Sequence, residues 1–161
     1  MNLKKVLDFN HESTYRANVI NQIFIAKLMI ALGAEGKKLD YLLSQSGDSF
    51  GYDLVITSFD TTQKSMTTRY LQMKTKDKKN NTDTWEVHTS LIDDPNSFLI
   101  VVEVEVVTNN NKEDVLLRYK YWDKNKMKKL QKSDTGRKRI KAHHLIAEYI
   151  EIEQLAKELF S

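Results

Sequence analysis

The feature that most constrains the fold is the run NSFLIVVEVEVV at residues 96–107, the most strand-rich stretch of this 161-residue chain. β-Branched residues dominate it, and such residues favour the extended backbone of a sheet. An Asn-rich turn follows, and DVLLRYKYW (114–122) is the expected antiparallel partner. The chain is therefore predicted to be built on a β-sheet.

Helices are predicted at both ends of that sheet. Residues 14–32 carry apolar side chains at helical spacing, and Gly33 follows the last turn. Because most of this helix's circumference is apolar, we expect it to pack on a sheet and to be partly covered by another element. Leu145 and Ile152 belong to a second apolar stripe, which predicts a long amphipathic helix over 138–160.

Three strand-like runs lie between the first helix and the central run, at residues 39–45, 52–59 and 68–75. Segment 80–95 is less regular, with a predicted strand around Trp85–Thr89 and then one helical turn. The order is thus helix, three strands, an unclear element, two strands and a closing helix. This order predicts an α/β protein of the α+β type, with a mixed sheet flanked by helices.

Composition is typical of a globular chain. Hydrophobic residues make up 40%, there is one proline, and the absence of cysteine excludes disulfides and thiolate metal sites. No linker-like tract interrupts residues 1–161, so we predict a single domain. The apolar stretch from Ile23 to Leu32 is short and broken by Lys27, so no membrane segment and a cytoplasmic location are expected.

Three polar residues on the second and third predicted strands could share one face. In an antiparallel hairpin with residue 59 opposite residue 68, Asp53 faces Lys74, and Gln72 is a diagonal neighbour. Directly opposed side chains have Cβ atoms about 5 Å apart and point to the same side. The hairpin is therefore predicted to gather Asp53, Gln72 and Lys74 near one of its ends.

These three residue types suit phosphodiester hydrolysis. Asp53 offers a hard anionic oxygen to a divalent cation, and Gln72 can add a carbonyl oxygen. Mg²⁺ accepts so few protein ligands because it keeps waters and substrate phosphate oxygens. Lys74 can orient the attacking water or stabilise charge that develops on the phosphate.

The segments SFGYDLVIT and RYLQMKTK resemble the PD-(D/E)XK nuclease superfamily, in the variant whose second motif reads Gln-x-Lys. The resemblance implies a restriction-endonuclease-like core of helix, three strands, short helix and strand over about residues 13–107, here with an added strand and a long C-terminal helix. It implies that Asp53 and Gln72 bind Mg²⁺ or Mn²⁺ and that Lys74 activates the water that cleaves DNA. It also allows a homodimer or a larger complex.

The first helix departs from the family pattern. Many members carry a glutamate there that completes the metal site, whereas residues 14–32 contain no acid. Glu12 lies just before the helix and is a candidate third metal ligand if its side chain reaches the site. Within the helix only Asn18, Asn21 and Gln22 have an amide oxygen to offer. The alternative prediction is therefore a catalytically inactive nuclease-fold module that binds nucleic acid or a protein partner.

Basic residues cluster between Lys124 and Lys141, where nine Lys or Arg stand against one acid, Asp134. Such a block is either a solvated surface or a site that attracts a polyanion, because clustered cations release counterions from phosphates. A third, less favoured possibility is that the block binds an acidic protein. The nucleic-acid interpretation assigns backbone contacts to Lys124, Lys126, Lys128, Lys129, Lys132, Arg137, Lys138, Arg139 and Lys141.

Other titratable residues receive structural interpretations. Glu103 and Glu105 alternate with valines, which predicts a solvent-facing pair. His88, in WEVHTS, is predicted to be an ordinary exposed strand histidine, although it follows the third strand closely enough to lie near the proposed site. The alternation of YLQMKTK also fits a solvated sheet face, so a purely structural role for Gln72 and Lys74 stays open.

Overall fold

The segment with the clearest strand pattern in the sequence is buried on both faces. In a computed structural model, which describes residues 3–7, 13–44, 51–127 and 136–160, it forms β5 (Ser97–Asn109). Its first eight side chains, from Ser97 to Val104, are all buried. A strand buries both sets of alternating side chains only where each face of the sheet is covered.

The other elements follow in nearly the predicted order. The helices are α1 (Leu3–Val6), α2 (Ser13–Ala34), α3 (Lys124–Met127) and α4 (Ile152–Phe160). The remaining strands are β1 (Lys37–Leu43), β2 (Leu54–Asp60), β3 (Ser65–Asp77), β4 (Thr84–His88), β6 (Lys112–Tyr121) and β7 (Arg137–Lys141). Short 3₁₀ turns lie at Thr89–Leu91 and Ala142–His144. The strand and helical turn predicted within segment 80–95 are therefore confirmed.

Five strands form one curled mixed sheet in the order β1-β2-β3-β5-β6. Neighbouring strands are antiparallel except β3 and β5, which are parallel. Strands β4 and β7 form a separate two-stranded antiparallel sheet, which we call the ribbon. The α+β class with a mixed sheet and flanking helices is confirmed.

The two faces of the large sheet have different covers. Helix α2 packs on one face, where the Phe24 ring lies 5.7 Å from that of Tyr119. The ribbon lies near the opposite face, because Val87 borders the same cavity as Gln72 and Lys74. Every second residue of β3 therefore points away from α2 and toward the ribbon side.

Helix α2 is apolar on most of its circumference, as predicted. Phe24 and Leu28 are fully buried, whereas Met29 and Ile30 are exposed. By length and composition alone the span Thr14–Ala34 could cross a membrane, and the core helix of a soluble protein and a signal sequence near the N-terminus pass the same test. The molecule has the α/β architecture of a small soluble protein, and a cytoplasmic location stays a prediction.

The β2–β3 hairpin closes two residues tighter than predicted. Phe59 pairs with Met66 and not with residue 68, because the turn holds only four residues. The predicted opposition of Asp53 and Lys74 is therefore wrong. A shift of two residues preserves the alternation of side chains between faces, so the predicted grouping of alternate β3 residues on one face survives.

The helix predicted over 138–160 is wrong in its first half. Residues 137–141 form β7 against β4 and bury Ile140. Farther along, Leu145 bridges Trp122, just after β6, and Ile150 bridges Tyr119 of β6. The closing α-helix begins only at Ile152. The apolar residues that suggested one helix are instead paired with strands distant in sequence, which local periodicity does not report.

Candidate functional site

Asp53 lies one residue before β2 and holds three segments together. Its N–H donates to the Leu71 carbonyl at 2.8 Å, and its carbonyl accepts the N–H of Ser44 at 2.9 Å. Its carboxylate Oδ2 accepts the N–H of Met73 at 2.7 Å. A carboxylate bonded to a backbone amide makes a strong, charge-assisted contact. Asp53 therefore fixes the entry of β2 against β3 with both its backbone and its side chain.

A cleft of about 570 Å³ opens beside this carboxylate, between α2 and the ends of the first three strands, and we call it the Asp53 cleft. Asn18 and Asn21 line it from α2, and Lys74 and Thr75 line it from β3. The Oδ1 atom of Asn21 is buried, with no hydrogen-bond partner among the described residues. The cleft thus combines one carboxylate with an amide oxygen that lacks a donor.

Gln72 lines a different cavity. The ribbon pocket, of about 160 Å³, is bordered by Gln72 and Lys74 from β3, His88 from β4, Arg137 from β7, and also by Gly51, Glu86 and Val87. The Gln72 side chain is 5% exposed, and its Oε1 has no hydrogen-bond partner among the described residues. Asp53 and Gln72 therefore border separate cavities, and Lys74 lines both.

The second lysine of YLQMKTK has a structural role. Lys76 forms an ion pair with Glu103 at 3.5 Å, and Arg118 binds the other oxygen of that carboxylate at 2.6 Å. Glu103 is buried, so the prediction that it faces solvent is wrong; both cations on neighbouring strands compensate its charge. Burial raises the pKa of the adjacent Tyr149. Of the two lysines, Lys74 is the one that borders the two cavities.

His88 borders the ribbon pocket. The sequence alone favours an ordinary exposed strand histidine, with a position near the proposed site as the less favoured interpretation. Its Nδ1 accepts the N–H of Ser90 at 3.3 Å and contacts the Ser90 hydroxyl at 2.7 Å. Gly51 has φ +80°, and a Cβ added there would lie 2.3 Å from the His88 Cβ. The imidazole is therefore held from two sides. The signal in the sequence was the glycine before Tyr52 and Asp53, whose contact with β4 only the fold reveals.

Arg137 reaches the ribbon pocket through the pairing of β4 and β7, in which it lies opposite His88. Arg137, Arg139 and Lys141 alternate along the exposed outer face of β7, and Glu86 lies 3.9 Å from Arg137 and 3.7 Å from Arg139. The basic block therefore contributes a strand to the site, where sequence analysis expected a helix or loop.

The remaining predicted residues are distributed as follows. Glu12, Lys128, Lys129 and Lys132 lie outside the described residues, and Lys124 begins α3. Lys126 donates to the Leu145 carbonyl at 3.0 Å, and Lys138 occupies the alternate, less exposed position of β7. Within the described ranges no group of three or more His, Cys, Asp or Glu side chains could hold a metal ion.

Comparison of the chain with models of protein families, with curated proteins and with solved structures finds no match.

Proposed function

We propose that the protein is a metal-dependent phosphodiester hydrolase of the PD-(D/E)XK type that acts on DNA. The observation that carries the proposal is the position of Lys74, which lines the cleft of the Asp53 carboxylate on one side and the pocket of Gln72 on the other. The topology supports it, because α2 is followed by three antiparallel strands and then by β5, parallel to β3.

The donor set in the Asp53 cleft fits a small hard cation. Asp53 supplies one anionic oxygen, and Asn21 supplies a buried amide oxygen that has no partner among the described residues. Gln72, which the resemblance makes a second metal ligand, borders the other cavity, so it can contribute only across Lys74. Mg²⁺ or Mn²⁺ is compatible with such a sparse shell, because it keeps several waters. When bound, it supplies Lewis-acid polarisation and a more acidic water.

Lys74 acts on the reacting atoms in this proposal. Its ammonium group orients the attacking water and stabilises the negative charge that develops on the phosphate oxygens. Asn21, on the opposite wall, takes the place of the acid that α2 lacks. The outer face of β7, with Arg137, Arg139 and Lys141, attracts the DNA backbone through charge.

A specific observation favours a second candidate, a nuclease-fold module that binds nucleic acid without cutting it. The carboxylate of Asp53 already accepts the Met73 N–H. No other carboxylate lines the Asp53 cleft within the part of the chain that the structure describes. A single engaged carboxylate lowers the affinity expected for a divalent cation. The assembly state stays a prediction for both candidates.

Cleavage of supercoiled and linear DNA by Lys74→Ala tests the proposal. In Mg²⁺ or Mn²⁺ the variant should lose about 10²–10³-fold in rate, the effect of removing one charge-stabilising donor. Lys38→Ala, which removes an exposed lysine from the edge strand β1, is the matched control and should cleave like the wild type.

Calorimetric titration of the wild type with Mn²⁺ separates the two candidates. The hydrolase should bind the ion, whereas a protein that shows no heat at millimolar Mn²⁺ and no cleavage is the binding module. Undiminished cleavage by Lys74→Ala would remove this residue from the mechanism.

A further inference from the structure

We propose that the ribbon pocket is an anion site that binds one backbone phosphate of the nucleic acid, next to the phosphate held at the Asp53 cleft. The inference takes the identity of the substrate from the proposed function. The existence of an anion site does not depend on catalysis, because it follows from the groups that border the pocket.

Hydrogen-bond donors converge on this pocket from three strands. Lys74 comes from β3, His88 from β4 and Arg137 from β7. Lysine and arginine are the side chains that most often bind phosphate oxygens, and arginine can bind two of them at once. The pocket holds about 160 Å³, below the 300–1,000 Å³ typical of drug-sized ligands, so it suits a single phosphate group rather than a base.

The histidine is oriented as a donor. The Ser90 N–H that donates to Nδ1 favours the tautomer with its proton on Nε2, and that nitrogen can then donate to a ligand. Gly51 packs against the Cβ and Cγ atoms of His88 and borders the same pocket. The ring is thus positioned before any ligand arrives, which lowers the entropic cost of binding.

Gln72 adds an unsatisfied acceptor to the same pocket. Its buried Oε1 has no partner among the described residues, and a water that accompanies the phosphate can donate to it. A buried acceptor without a partner costs free energy, so a ligand that brings such a donor gains affinity. This observation is independent of the cationic side chains.

Glu86 is the competing anion at the rim. It is half-exposed and lies within 4 Å of both Arg137 and Arg139. Arg139 shares this partner and the outer face of the ribbon with Arg137, but it borders the neighbouring cavity with Trp85. The two arginines therefore form a matched pair that differs in access to the ribbon pocket.

Titration of the full-length protein with inorganic phosphate, followed by NMR of the His88 imidazole and of backbone amides, tests the site without metal. The wild type should saturate in the millimolar range. Arg137→Ala and His88→Ala should weaken binding at least fivefold, and Glu86→Gln should tighten it two- to fivefold. Arg139→Ala should weaken phosphate binding less than Arg137→Ala does, and Lys38→Ala on the edge strand β1 should leave it unchanged. Circular dichroism and thermal melts check that each variant is folded.

Equal weakening by Arg137→Ala and Arg139→Ala would overturn the proposal, because binding would then reflect the general charge of the ribbon. A short DNA duplex should shift the same His88 signals at lower concentration than phosphate; if it leaves them unchanged, the pocket does not take a nucleic-acid phosphate. Phosphate and duplex binding without cleavage would retain this inference and refute only the hydrolase. Cleavage without phosphate binding would do the reverse.

Discussion

The Asp53 cleft and the ribbon pocket lie on two sides of one lysine and present opposite chemistry. The cleft contributes oxygen acceptors, from Asp53 and Asn21, and is built from α2 and the first three strands. The pocket contributes donors, from His88 and Arg137, and needs strands that are distant in sequence. This difference is the reason for proposing cation binding on one side and anion binding on the other, with Lys74 bordering both.

The strongest test of this difference between the two cavities is to remove the charge of Asp53 while keeping its hydrogen bond. Asp53→Asn keeps an oxygen that can accept the Met73 N–H, so its free energy of unfolding should fall by no more than about 1 kcal/mol. The rate of cleavage should drop by about 10²-fold or more, because the cleft loses its carboxylate. For the same reason the heat of Mn²⁺ binding in calorimetric titration should disappear. Phosphate affinity of the ribbon pocket should not change.

Asp53→Ala is the companion variant. This variant also leaves the Met73 N–H without its acceptor, which should lower the free energy of unfolding by about 1–3 kcal/mol. Denaturant melts should therefore distinguish it from Asp53→Asn. If Asp53→Asn weakens phosphate binding as much as it weakens Mn²⁺ binding, the two cavities are one site and the comparison fails.

Gly51→Ala should disrupt the ribbon pocket. Its φ of +80° is strained for alanine, and the new Cβ would overlap the His88 Cβ, so β4 or the entry to β2 must move. We expect a loss of about 1–3 kcal/mol in the free energy of unfolding and a severalfold loss of phosphate affinity.

Gly33→Ala is the matched control for the substitution itself. A Cβ there meets no atom within 4 Å, so the melting temperature should hold or rise slightly. A Gly51→Ala protein as stable as the wild type, with unchanged His88 resonances, would show that the contact does not position the ring.

What sequence could predict follows the same division. Local patterns of apolar and polar residues set the strand β5, the mixed sheet and the shared face of alternate β3 residues, and these were predicted correctly. Side-chain alternation does not distinguish hairpin registers that differ by two residues, and the pairing of β7 with β4 joins segments distant in sequence, so the opposition of Asp53 and Lys74 and the start of the last helix were predicted wrongly.

The site shows the same limit residue by residue. Gln72 and Lys74 could be proposed from their spacing in one strand, and Asn21 from the lack of an acid in α2. His88 could be placed near them only as the less favoured interpretation. Arg137 could not be placed there at all, because it lies 49 positions after His88 and only the ribbon register makes the two opposite. The burial of Glu103 escaped prediction because its partners, Lys76 and Arg118, lie on two other strands.

The smallest effect should come from adding an acid to α2, which changes the Asp53 cleft without disrupting either cavity. Asn21→Asp adds a second carboxylate to the Asp53 cleft, so Mn²⁺ should bind up to about tenfold more tightly. Without metal the two carboxylates repel each other, and the free energy of unfolding should fall by about 1 kcal/mol. Added Mn²⁺ should reverse that loss, because it binds only the folded state.

Gln22→Glu controls for the added charge, since Gln22 lies on the same helix but does not border the cleft. It should change neither Mn²⁺ affinity nor the metal dependence of the melting temperature. If Asn21→Asp and Gln22→Glu behave alike in Mn²⁺ titrations, Asn21 does not face the cation. Its buried Oδ1 would then be a feature of helix packing, and the carboxylate of Asp53 would be the one strong acceptor that the described residues bring to the cleft.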